Sequence, residues 1–208
     1  MNKEDVMKRK YLTSDEVFKL LSLIHNDMSN YRDYCMVSMA FIHGLRVSEL
    51  IELKLTDYDS LSKKIYIRRL KGGLSTTHPL LDHESKALDM WLNERRYLKG
   101  NRTPWMFLSR HGGRLSRQRF YQLLKNYGEK AQLSLSIHPH MLRHACGYNL
   151  AELGNDTRLI QDYLGHKSIR HTVLYTAANA ERFNGAWLKG GNDPPVESVL
   201  KNHDKKKK

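Results

Sequence analysis

Apolar residues recur at helical spacing in one stretch of this chain after another, and a single segment in between changes character. Thr13 and Glu16 stand at capping-box spacing ahead of Val17, Leu20, Leu21 and Ile24, which predicts an amphipathic helix opening at Thr13. A second apolar stretch, Tyr34 to Phe41, closes at Gly44. The pattern resumes with Val47, Leu50, Ile51 and Leu53 before the polar turn Thr56 to Ser60, giving two consecutive helices with Arg46 near their junction. From Lys64 to Leu81 the reading is a β-hairpin. Ile65, Tyr66 and Ile67 favour strand, Gly72 and Gly73 mark a turn, and Ser75 to Leu80 runs back alongside. Asp82 is then expected to cap a helix carrying Ala87, Leu88, Trp91 and Leu92, with Trp105 to Leu108 as a third strand and Ser116 opening the next helix. Three more helices follow over His140 to Leu153, Thr157 to Leu164 and Ile169 to Thr176, and a last one over Ala177 to Leu188. The fold class expected from this pattern is mainly α with a small antiparallel β-sheet.

A chain of 208 residues buries one good core, so one folded domain is expected over residues 11–188. It is flanked by a basic extension over 1–10 and a flexible basic tail over 189–208, rich in glycine, proline and lysine. Charge sharpens the picture: 35 Lys and Arg against 22 Asp and Glu leave a net +13, of which the terminal Lys205 to Lys208 supply only four. The folded part is itself basic, and polyanions are its natural partner. No apolar run approaches the length of a membrane span, and no signal-peptide core opens the chain, so a soluble, intracellular protein is expected. Cys35 and Cys146 lie in helix-like apolar stretches and are read as reduced, buried thiols; two cysteines also speak against structural zinc.

The chemistry gathers near the C-terminal end. Tyr175 follows His166 by nine residues in LGHKSIRHTVLYT, and HPHMLRH places His140 and Arg143 one helical turn apart behind Pro139. A phenol, with a pKa of about 10, becomes a nucleophile only where neighbours take its proton or stabilise the phenolate. Attack on a phosphodiester also loads charge onto nonbridging oxygens, which planar guanidinium forks match; Arg46 and Arg143 suit that role. His140 sits at a helix start that favours anions, and His166, after Gly165 at a helix end, can reach the same phosphate. Lys71, between a strand and two glycines, is a candidate proton donor to a leaving 5′ hydroxyl. Arg68 and Arg69 crowd the same hairpin and are read as DNA-phosphate contacts, while Arg117, Gln118 and Arg119 in the first turn after Ser116 are placed to enter a groove. His140 and His144 have zinc-compatible spacing, but Met141 stands where a metalloprotease has its Glu, and no metal is expected. His144, His171, His78 and His111 are read as structural or DNA-facing, and Cys146 and Met141 as core behind the site.

Five motifs in order, GLRVSEL at 44–50, the hairpin with Lys71, the His140 and Arg143 pair, LGH at 164–166, and Tyr175 with Thr172 upstream, resemble the tyrosine recombinases of the phage-integrase family. The resemblance runs from about Tyr11 to Trp187 and is closest to the small fimbrial phase-variation recombinases. It implies a tyrosine recombinase catalytic-domain fold. Tyr175 would attack the scissile phosphate to give a 3′-phosphotyrosyl link, with Arg46, Arg143, His140 and His166 holding the phosphate and Lys71 protonating the leaving oxygen. Glu49 would be the supporting acid. The covalent bond conserves the phosphodiester's energy, so no cofactor is implied. The group that accepts the Tyr175 proton is left unassigned. The partners implied are double-stranded DNA with inverted-repeat sites, copies of the chain forming a tetramer through the C-terminal helix with Phe183, Trp187 and Leu188, and DNA-bending accessory proteins. The setting implied is the bacterial cytoplasm and its nucleoid. Many relatives carry a further N-terminal helical domain, whereas about ten residues precede the first helix here. Either the catalytic domain grips DNA through self-assembly and bending proteins, or it is helped to bind. The rival readings are a type IB topoisomerase, distinguished by relaxing plasmids that lack any special site, and a non-catalytic DNA-binding regulator on the same scaffold.

Overall fold

The structure, a computed structural model, describes residues 9–26, 30–70 and 72–177. Helix α1 (Ser14–Asn26) opens with the capping box that its sequence spells: the Glu16 amide donates to Thr13 Oγ1 at 3.3 Å and the Thr13 amide to Glu16 Oε2 at 2.9 Å. Its Val17, Leu20 and Ile24 turn inward against α2 (Tyr31–Ile42). Helix α2 buries Cys35, Met36, Val37, Met39 and Ala40, close to a full turn of its surface, which places it at the centre of the core. The short α3 (Val47–Ile51) follows, then a 3₁₀ turn over Leu55–Asp57.

A three-stranded antiparallel sheet comes next, in the order β1 (Tyr58–Asp59), β2 (Lys64–Ile67), β3 (Thr76–Pro79). In β2 the side chains alternate, Ile65 and Ile67 buried and Lys64 and Tyr66 exposed, so the sheet covers the core with one face. The hairpin pairs Ile65 with His78 and Tyr66 with Thr77. Helix α4 (Asp82–Arg95) packs Leu88 and Trp91 against α2. Helix α5 (Arg117–Lys130) is capped by Ser116, whose Oγ accepts the Arg119 amide at 3.0 Å. Helix α6 (Pro139–Glu152) has proline in its first turn. Helix α7 (Thr157–Leu164) is capped by the Asp156 carboxylate, and α8 (Arg170–Thr176) carries the tyrosine.

Two expectations are corrected. The third strand is Tyr58–Asp59, read from sequence as turn, whereas Trp105 to Leu108 makes only isolated bridges, Lys54 with Trp105 and Leu108 with Arg114. Its carbonyls are taken by side chains instead: Arg95 donates to the Trp105 oxygen and the Trp91 indole to the Met106 oxygen. Asp82 is not the cap of α4. That position falls to Leu81, whose amide is bound by Glu84 at 3.0 Å, while Asp82 pairs with Lys63 at 2.9 Å. The expected helix over 177–188, the basic extension and the tail lie almost wholly outside the described residues. Among the described residues no helix is long and apolar enough to cross a membrane.

Candidate active site

Helices α6, α7 and α8 meet the α2–α3 junction and the hairpin turn around a cleft of about 310 Å³, lined among others by Arg46, His140, Arg143, His144, His166 and Tyr175. Its floor is an ion cluster. Glu49, buried in α3, accepts the Arg46 guanidinium through Oε1 at 2.7 Å and the Arg69 guanidinium through Oε2 at 2.9 Å, with Arg143 Nη1 at 3.9 Å. The backbone amides of Arg46 and Leu70 also donate to it, at 2.9 and 3.3 Å. Burial works to raise the Glu49 pKa, but Arg69, the Arg46 amide and side chain, and Arg143 outweigh it and hold the carboxyl below its ordinary value. Arg143 is locked further by donating to the carbonyls of Gly44 and of Leu164, the latter at 2.8 Å. Burial, then repulsion from Arg46 and Arg69, lowers its pKa to about 10, which leaves it a cation at neutral pH.

Arg69 is a correction. Its side chain is 0% exposed and its guanidinium donates to Glu49 and to the carbonyls of His43 and Tyr163, the last at 2.6 Å. A guanidinium stapled this way ties the hairpin to α2 and α7 and has no surface to offer DNA. Arg68, its neighbour just past β2, is exposed, as are Arg117, Gln118 and Arg119. Lys71 lies outside the described residues, but the next glycines frame the cleft: Gly73 lines it beside Gly165 and Lys167.

The LGH motif is explained by crowding. Gly165 ends α7 in the left-handed conformation, φ +65°, and a Cβ there would fall 2.7 Å from Arg69 Cγ, so both the turn and the staple require glycine. This turn presents His166, whose Nδ1 lies 2.8 Å from the fully buried Thr172 hydroxyl. Burial, then Arg143 and Arg46, lowers the His166 pKa to about 3, so the ring is neutral. In the tautomer in which Thr172 donates to Nδ1, the neutral ring carries its proton on Nε2 and can donate it to an anion.

Tyr175 is 2% exposed. Its ring lies directly over Gly147 of α6, where a Cβ would come within 2.5 Å of ring carbons. Tyr148 meets it edge-on at 5.1 Å between centroids, and His166 stacks at 6.3 Å. Its hydroxyl is 3.0 Å from His144 Nδ1. Burial raises the phenol to about 12, against the pull of Arg143. The arrangement can hold an anion between fixed cations, next to a buried phenol. His144, read from sequence as structural or DNA-facing, thus lines the cleft and touches the hydroxyl; the signal was its position one residue after Arg143 and four after His140 on one helix. Lys167 and His171 also line the cleft. Cys146 packs behind Tyr175 as expected, and among the described residues no three metal-ligating side chains are gathered.

The family model described as the phage integrase family matches residues 10–182. The chain is 53% identical over 186 residues to the type 1 fimbriae regulatory protein FimB of Escherichia coli K12, covering 89% of this chain and 93% of that protein. It is 52% identical over 181 residues to FimE of the same strain, covering 86% and 91%. Among solved structures, the XerH site-specific recombinase bound to a palindromic difH substrate in a post-cleavage complex superposes with a TM-score of 0.72. Its sequence identity is 25%, over 85% of this chain and 52% of that one.

Proposed function

Because the chain belongs to the phage integrase family and is a site-specific tyrosine recombinase of the fimbrial phase-variation kind, we propose that Tyr175 is its nucleophile and that the cleft beside it holds the scissile phosphate. One observation carries this reading: Tyr175 lines the same cleft as Arg46, Arg143, His140 and His166. The phenolic oxygen forms a bond to phosphorus as the bond to the 5′ oxygen breaks. Charge growing on the nonbridging oxygens meets Arg46 and Arg143, which Glu49 and the Gly44 and Leu164 carbonyls keep aimed without reorganisation. His166 donates from Nε2 and His140 from the first turn of α6. Lys71 supplies the proton to the leaving 5′ oxygen, a role supported by its place in the turn before Gly73, which lines the cleft.

DNA is the partner, through exposed Arg68 and the Arg117, Gln118 and Arg119 turn of α5, on inverted-repeat sites. The catalytic domain spans 11–188, and four copies assemble on DNA through the segment holding Phe183, Trp187 and Leu188, with DNA-bending proteins assisting. The setting is the bacterial cytoplasm, in association with the nucleoid. A DNA duplex nicked next to the scissile phosphate tests the reading. The protein is expected to trap itself as a covalent adduct on it, and Tyr175→Phe to form none; an adduct surviving that substitution refutes the assignment.

A further inference from the structure

A phenol raised to about 12 is almost wholly protonated at neutral pH, so attack requires a proton acceptor within hydrogen-bond reach of its oxygen. The side chain in that position is His144. Its Nδ1 stands 3.0 Å from the Tyr175 oxygen, on the α6 turn that also carries Arg143, and both rings border the cleft. His166 is engaged otherwise: its Nδ1 is paired with Thr172 at 2.8 Å, and its ring centroid lies 6.3 Å from that of Tyr175.

We propose that His144 takes up the Tyr175 proton during strand cleavage and returns it during rejoining, a role that rests on Tyr175 being the nucleophile. The phenolic proton passes to Nδ1 while oxygen bonds to phosphorus and the bond to the 5′ oxygen breaks; that oxygen takes its proton from the separate donor, Lys71. In the reverse step a 5′ hydroxyl attacks phosphorus and gives its proton back to Lys71, Tyr175 leaves, and His144 hands its proton back to the phenolic oxygen, so none is consumed over a full cycle.

The electrostatics agree. Burial first, then His140, Arg143, His138 and Lys10, hold the His144 pKa below its ordinary value, so at pH 7 the ring is neutral and free to accept. An incoming DNA phosphate places negative charge beside Arg143. It offsets that repulsion and strengthens His144 as a base when substrate is seated.

The nicked duplex, in single turnover across pH 5 to 10, tests this with wild type, Tyr175→Phe, and His144→Asn, whose amide reproduces the hydrogen bond at the Nδ1 position without accepting a proton. His144→Asn is expected to bind DNA as wild type does and to cleave ~10²–10⁴-fold more slowly at pH 7. Its rate should climb about tenfold per pH unit as hydroxide takes over, where the wild-type rate has levelled above the His144 pKa. Wild-type cleavage by His144→Asn, or a loss of the same size at every pH, overturns the proposal while leaving the nucleophile in place. An adduct with Tyr175→Phe overturns both. If His144→Asn fails to bind DNA, His144→Ala with added imidazole decides: cleavage rising with the free-base concentration supports the role, and no restoration overturns it.

Discussion

On the α3 side of the cleft three guanidinium groups converge on one buried carboxylate, whereas on the α8 side Tyr175 lies among the rings of His144, Tyr148 and His166. The first wall is made of charges that cannot move without being unpaired, and breaking a buried ion pair by removing one partner costs about 3–5 kcal/mol. The second is held by one hydrogen bond and ring contact, and a hydrogen bond contributes a net of only about 0.5–1.5 kcal/mol. The difference separates two tasks. A phosphate clamp gains from being rigid before substrate arrives, while a reacting oxygen that must shift to form and break a bond gains from shallower restraint.

The comparison breaks first at Glu49. Glu49→Gln keeps the shape but leaves Arg69 buried without a counter-charge, and a loss of about 3–5 kcal/mol in denaturant unfolding at pH 7 is expected. The carboxyl's folded-state pKa is depressed, so its contribution is complete above about 4.3, the unfolded value, and fades as pH falls through the folded one. Wild type and Glu49→Gln should therefore converge in acid; equal stability at pH 7 would show that the floor is not held by charge. Next comes Gly147→Ala, whose Cβ enters the space of the Tyr175 ring and displaces the nucleophile. Covalent adduct formation should drop by roughly 10²-fold with DNA affinity unchanged, read by gel assay on the nicked duplex. Thr172→Val removes only the hydroxyl that sets the His166 tautomer, and a two- to tenfold slowing, about 0.5–1.5 kcal/mol, is expected, with Thr172→Ser restoring the rate. Smallest for the chemistry itself is Arg117→Ala, outside both walls: it should lower the slope of log affinity against log salt by about 1 and leave cleavage by bound protein intact.

Much of this was legible in the chain. The capping box at Thr13 and Glu16, the hairpin with strand-forming Ile65, Tyr66 and Ile67, Ser116 as a cap and Pro139 in a first turn follow from local chemistry that tertiary contacts left undisturbed. The clustering of Arg46, Arg143, His166 and Tyr175 was legible as residue types, because few reactions need that set together. What failed depended on distant partners. Arg68 and Arg69, just past β2, are indistinguishable by composition, and only contacts with Glu49 and the His43 and Tyr163 carbonyls draw one of them under the site while the other stays exposed. The Trp105 segment looks like a strand until Arg95 and Trp91 claim its carbonyls. From sequence His144 reads as structural or DNA-facing, and its spacing to His140 suggests only a metal pair. Its meaning came from a tyrosine 31 positions away.

Tyr11 stacks on Tyr148 at 4.0 Å between centroids with Arg9 over its ring at 5.4 Å, and Tyr148 in turn backs Tyr175. Residues ahead of α1 thus back a tyrosine carried on α8. Trimming them would strip the support behind the Tyr175 ring while leaving the guanidinium floor beneath Glu49 untouched.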